Sequence, residues 1–198
     1  MPAIIHSGKL QRWYEELCRF DINPVRQLAI PAGTELRPNC LSRDGAVYVF
    51  WWTGDLNLFR SPDCMRDLIV KGPGRRDIEI RIDDEWLGLE AGFPIPLYVG
   101  KTTGLRQRVR QHLEVGRQRL LRLGGDARRA ERPTTACQLR AGIDHLFPNN
   151  PDTRSLVLDS VALSYIVLDG DENSVNRFYL EDYAIGLMKP CLNVDVER

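Results

Sequence analysis

Leu97-Tyr98-Val99-Gly100-Lys101-Thr102-Thr103-Gly104-Leu105-Arg106-Gln107-Arg108-Val109-Arg110-Gln111-His112 reads as a short apolar strand, a glycine turn and a basic helix. Pro96 interrupts the apolar run from Ile95 to Val99 and cannot donate to a strand ladder, which predicts a short strand that starts late. Gly100 and Gly104 bracket a turn where backbone approaches a phosphate or takes a positive φ. From Leu105 onward, Leu105, Val109, His112 and Leu113 share one helical face, and Arg108 and His112 stand one turn apart. The guanidinium of Arg108 is a planar fork of donors suited to a phosphate. The imidazole of His112 donates, accepts or shuttles a proton near neutral pH. Together they suit a grip on a phosphodiester.

Two further stretches fall into line with this one. Upstream, Gly45-Ala46-Val47-Tyr48-Val49-Phe50 is an apolar strand carrying a tyrosine. Downstream, Phe178-Tyr179-Leu180-Glu181-Asp182-Tyr183-Ala184-Ile185-Gly186-Leu187-Met188 reads as a helix bearing a glutamate, followed by Pro190 and Asn193. In this order and spacing the three pieces resemble the GIY-YIG nuclease superfamily, whose two motif strands precede a helix with an essential arginine and a later helix with a glutamate. The resemblance runs from about Gly45 to Asn193. It departs from the family at Ala46, where a glycine is usual, with Gly45 one place early. It departs again between the motif strands, where Trp51 to Pro94 replaces a short hairpin. Hairpin loops are usually about 2–5 residues, so this insertion, about residues 54–94, has structure of its own. Restriction enzymes of the family tolerate such insertions and use them to touch DNA.

The resemblance implies an α/β (α+β) fold, a small mostly antiparallel central sheet flanked by helices. Residues 1–44 form an N-terminal helix and arm, and residues 45–198 the nuclease domain. It implies a metal-dependent endonuclease that hydrolyses DNA phosphodiester bonds, with Mg²⁺ or Mn²⁺ as cofactor. Glu181 is the metal ligand, since one carboxylate completed by phosphate oxygens and waters suits Mg²⁺. Arg108 stabilises charge on the scissile phosphate, and His112 binds the phosphate or relays a proton. Tyr48 is favoured as base and Tyr98 as positioner of water or phosphate. A phenol of ordinary pKa near 10 needs nearby positive charge for that, from the metal, Lys101 or Arg108. Asn193 ties down the backbone of the site. The restriction branch is the most similar, and cutting both strands asks for a homodimer. Repair or mobile-element nicking, and a non-catalytic nucleic-acid-binding module on the same scaffold, are the alternatives. A small-substrate α/β enzyme would need a phosphate loop, hinted at only by Gly72 to Gly74.

Composition agrees. The chain has 198 residues, with 43% hydrophobic and 27% charged, the balance of an ordinary soluble domain. No apolar run approaches the roughly 20 residues of a membrane helix, and the N-terminus lacks the pattern of a signal peptide. The five cysteines are scattered, with no Cys-x-x-Cys pair, which fits a reducing cytoplasm and argues against disulfides or a zinc site. Formal net charge is zero, yet residues 101–132 hold ten basic residues against three acids. Arginine dominates that window, as expected for phosphate recognition, and Arg106, Arg110 and Arg117 are candidate DNA contacts.

Elsewhere, Lys9 to Phe20 reads as an amphipathic helix with Leu10, Trp13, Tyr14 and Leu17 on one face. Ala46 to Trp52 reads as a strand buried on both faces. Cys64 to Val70 is undecided between helix and strand. Ile78 to Ile82 alternates as a strand, with Trp86 to Leu89 as its partner. A basic helix from Leu105 to about Leu123 ends at Gly124-Gly125-Asp126. A second, entered at Pro133-Thr134-Thr135, covers Gln138 to Leu146. Most of Leu156 to Leu168 reads as a central strand. The last helix, capped by Asn173 or Ser174, runs to about Met188.

Overall fold

Ala46-Val47-Tyr48-Val49-Phe50-Trp51-Trp52 has no polar alternation, and such a strand is stable only where both faces are covered. It forms β2 (Ala46–Trp52), every residue of which is buried. The computed structural model describes residues 7–19, 23–28, 40–71, 77–87, 94–113 and 138–193. The other strands of the main sheet are β1 (Asn23–Pro24), β5 (Ile95–Thr102) and β6 (Val161–Val167), in the order β1-β6-β2-β5, with every pairing antiparallel. An insertion hairpin, β3 (Asp67–Lys71) and β4 (Asp77–Arg81), forms a separate two-stranded sheet.

Helices cover both faces of the main sheet. On one lie α1 (Ser7–Arg19) and α8 (Ser174–Met188), with Leu17, Leu180 and Ala184 packed on Val47, Val49, Trp51 and Val99. Leu10, Trp13 and Tyr14 join them, as the periodicity of the N-terminal helix predicts. The other face carries α2 (Val25–Leu28), α5 (Leu105–Leu113), α6 (Gln138–Leu146) and α7 (Thr153–Ser160), packed on Ala46, Tyr48, Phe50 and Trp52. The sheet is thus the middle of three layers, an α/β arrangement. The root of the insertion belongs to this second core: Phe59 from α3 (Asn57–Arg60), Ile82, and Leu87 from α4 (Asp84–Leu87) are all buried there. Among the described residues no helix is long and apolar enough to cross a membrane.

Several expectations are corrected. The strand at Pro96 does not start late: β5 begins at Ile95 and runs through Gly100 to Thr102, so Gly100 lies in the strand and not in a turn. Proline is accommodated because β5 is the edge strand and its register against β2 shifts between Phe50 and Trp51, which pair with Tyr98 and Pro96. Of Leu156 to Leu168, Val161–Val167 is strand, in the interior of the sheet as expected, while Leu156 to Ser160 is helix. Asp152 accepts the Ser155 N–H at 3.0 Å and caps α7, which takes the first half. Cys64 to Val70 resolves into the approach to β3, and β3 is the partner of β4. Trp86 and Leu87, expected in that partner, lie in a helical turn, Asp84–Leu87, entered where Asp83 accepts the Trp86 N–H at 2.7 Å, and residues 88 and 89 lie outside the described residues. Asn173 occupies the cap position of α8 without a side-chain capping bond. The basic helix is described as far as Leu113, and its expected continuation with Gly124 to Asp126, the Pro133 helix entry and the turn around Gly72 to Gly74 lie outside the described residues.

Candidate active site

The start of α5 is held by the segment that leads into β2. The Leu105 N–H donates to the Asp44 carbonyl and the Arg106 N–H to the Ser42 carbonyl, each at 3.0 Å. These bonds satisfy helix donors that otherwise lack partners. They also fix the arginine helix against the strand that carries Tyr48. Arg106 extends the clamp: its Nε and Nη2 reach the Leu41 carbonyl at 3.1 and 2.7 Å. Its guanidinium thus also ties α5 to the segment before β2. Arg110 is exposed on the outer face of α5, and Arg117 lies outside the described residues.

With the helix so placed, Arg108 and His112 meet Tyr48. The Tyr48 hydroxyl lies 2.9 Å from His112 Nε2, and Arg108 hydrogen-bonds the same hydroxyl. The Tyr98 ring centroid stands 6.2 Å from that of Tyr48. Gly100 makes this closeness possible, since a Cβ there would lie 2.5 Å from the Tyr48 hydroxyl and 2.8 Å from the Tyr98 ring. Four of the expected site residues, on β2, β5 and α5, thus gather at one hydroxyl.

Their electrostatics differ from expectation. Burial raises the Tyr48 phenol well above its ordinary pKa, and Tyr98 and Glu181 push the same way while Arg108 opposes them. Burial thus outweighs the charge of Arg108, which does not by itself bring Tyr48 toward the phenolate. His112 is packed among the rings of Tyr48, Phe50 and Tyr98, with centroids 5.7, 5.2 and 5.1 Å away. Burial, aided by Arg108, lowers its pKa to about 3, so it is neutral. Its Nδ1 is buried with no hydrogen-bond partner among the described residues. Leaving such a group unpaired typically costs about 1–3 kcal/mol.

The outer edge of β5 carries the rest of the site. The Asn193 carboxamide accepts the Val99 N–H and donates to the Val99 carbonyl, both at 2.7 Å. Leu192 N–H adds a bond to the Leu97 carbonyl at 2.8 Å. One step along, Glu181 Oε1 accepts the Lys101 N–H at 3.1 Å, and Oε2 pairs with Lys101 Nζ. The Glu181 side chain is only 7% exposed, that of Lys101 35%. Arg177, one turn earlier on α8, is turned away, its Nη1 bonded to the Leu168 and Gly170 carbonyls. Sequence reasoning missed this anchor, although Gly45 signals it: a Cβ there would lie 2.7 Å from Arg177 Nη1.

Among the described residues no three His, Cys, Asp or Glu side chains gather as a metal site. Glu181 still fits a hard divalent cation by donor type, as a single buried carboxylate. Lys101 is its partner here. The other histidines add nothing: His145 Nε2 meets the Asp67 carbonyl at 2.8 Å, and His6 lies outside the described residues. Comparison of the chain with protein-family models, curated proteins and solved structures finds no match.

Proposed function

We propose that the protein is an endonuclease of the GIY-YIG type, hydrolysing DNA phosphodiester bonds with Mg²⁺ or Mn²⁺. One observation carries the reading: Arg108 and His112 converge on the Tyr48 hydroxyl with the Tyr98 ring alongside, and Glu181 bonds the edge of the adjoining strand. Arg108 binds a non-bridging phosphate oxygen and meets the charge that grows there in the transition state. Tyr48 holds a water or phosphate oxygen through its hydroxyl, with neutral His112 fixing the hydroxyl's direction. Glu181 would hold the divalent ion, which would supply Lewis acidity there. Asn193 keeps β5 straight beneath these groups. Double-strand cutting of the restriction kind asks for two copies of the chain, one per strand.

The test is conversion of supercoiled plasmid with Mg²⁺ or Mn²⁺, with EDTA as control. Wild type cuts, while Arg108→Ala and Glu181→Gln lose roughly 100-fold or more in rate with unchanged far-UV circular dichroism. Variants that cut like wild type would end the proposed mechanism. A second reading, a non-catalytic DNA-binding module in the same scaffold, is favoured by one observation, the occupation of Glu181 by Lys101. Salt-sensitive DNA binding in EDTA with no nick under any metal would establish it.

A further inference from the structure

The cation already paired with Glu181 decides how a metal can enter. Both carboxylate oxygens are taken by one residue, Oε1 by the Lys101 N–H and Oε2 by its Nζ. The ammonium is also steadied by the Phe178 ring, 5.1 Å from Nζ to centroid and one turn before Glu181 on α8. The exposures are unequal: 35% for the lysine side chain against 7% for the glutamate. A solute approaching this edge therefore meets the ammonium before it meets the carboxylate.

We infer that Lys101 is the resident counter-ion of Glu181 and that a divalent cation binds there only in competition with it. A hard ion needs direct carboxylate oxygens, and a monovalent charge held against Oε2 both blocks that position and repels the newcomer. Lysine suits the part, because a flexible four-carbon stem lets a point charge leave without disturbing β5. A consequence follows that rests on the phosphodiester reading above. A phosphate arriving beside Arg108 offers the ammonium a second anion, so substrate and metal each promote the binding of the other.

The experiment titrates full-length protein with MnCl₂ at neutral pH and follows free Mn²⁺ by electron paramagnetic resonance. It uses wild type, Lys101→Met, Lys101→Gln, and each combined with Glu181→Gln. Both single lysine variants are expected to bind Mn²⁺ at least roughly tenfold more tightly than wild type, and Glu181→Gln is expected to abolish that gain. Circular dichroism checks that each variant folds, and two lysine variants guard against one that does not. Equal or weaker binding by the lysine variants overturns the proposal, as does a gain that survives Glu181→Gln. A second arm adds a duplex oligonucleotide and subtracts the Mn²⁺ bound in its presence by Glu181→Gln. Tighter Mn²⁺ binding by wild type, absent from Lys101→Met, supports both the competition and the phosphodiester reading. No gain in this arm counts against the phosphodiester reading alone, because the competition is decided by the arm without DNA.

Discussion

Tyr48 and His112 share a hydrogen bond in a setting that suits neither charged form. His112 has a pKa of about 3, against 6.5 for an ordinary imidazole. Between those values the unfolded chain binds a proton that the native site refuses, so stability falls as pH drops through this window and is unaffected above it. The loss is at most about 1.4 kcal/mol per pH unit. Urea midpoints at pH 7, 6 and 5 should fall more steeply for wild type than for His112→Gln, and parallel curves would count against a buried neutral imidazole. Gly100 is the second sensitive point. Gly100→Ala forces a methyl onto the Tyr48 hydroxyl and the Tyr98 ring, an overpacking that typically costs about 1–3 kcal/mol. A variant as stable as wild type in denaturant would show the tyrosines free to move apart. Arg108 and His112 were legible in the sequence because a one-turn spacing in a helix is local. The engagement of Arg106 with Leu41 was not, since it depends on how residues 41–44 pass the start of α5.

At the scale of the element, β5 shows why sequence patterns reach only part of the way. The apolar core of β2 was readable because burial on both faces leaves no polar position. For β5, Pro96 argued for a late start, and only the edge position with its register shift reverses that argument. The division of residues 153–167 into helix and strand was hidden for a similar reason: Leu156, Val157 and Leu158 run almost directly into the apolar Val161–Leu163, and the break is set by pairing with β2. The β5 edge itself is finished by side chains. Asn193 takes both backbone groups of Val99, in the manner of a neighbouring strand. Asn193→Ala should cost about 1–3 kcal/mol and speed hydrogen exchange at the Val99 amide. An unchanged exchange rate there would place the support for this edge elsewhere.

Across the whole molecule, the insertion divides into a root and a hairpin. Phe59, Ile82 and Leu87 are core residues, and the rings of Trp52, Phe59 and Phe147 pack with centroids 5.0–5.4 Å apart, Phe59 edge-on to the other two. The hairpin β3–β4 has its own sheet, and its ends are joined by the bond from Ile82 N–H to the Arg66 carbonyl at 3.0 Å. Replacing residues 67–81 with a short glycine-serine loop should therefore leave the core folded, with a change in Tm of only a few degrees. Removing residues 54–94 should unfold it. If thermal melts showed both deletions equally damaging, the hairpin would be part of the core after all. The order of the chain has another consequence. The tyrosines, arginine and histidine are made early, whereas Glu181 and the Asn193 clamp come near the far end of the described chain. Synthesis runs from one end to the other, and a chain begins to fold as it emerges. A nascent or prematurely terminated product thus holds Tyr48, Tyr98, Arg108 and His112 before it holds Glu181 and Asn193, and the outer edge of β5 lacks these two partners until residue 193 has left the ribosome.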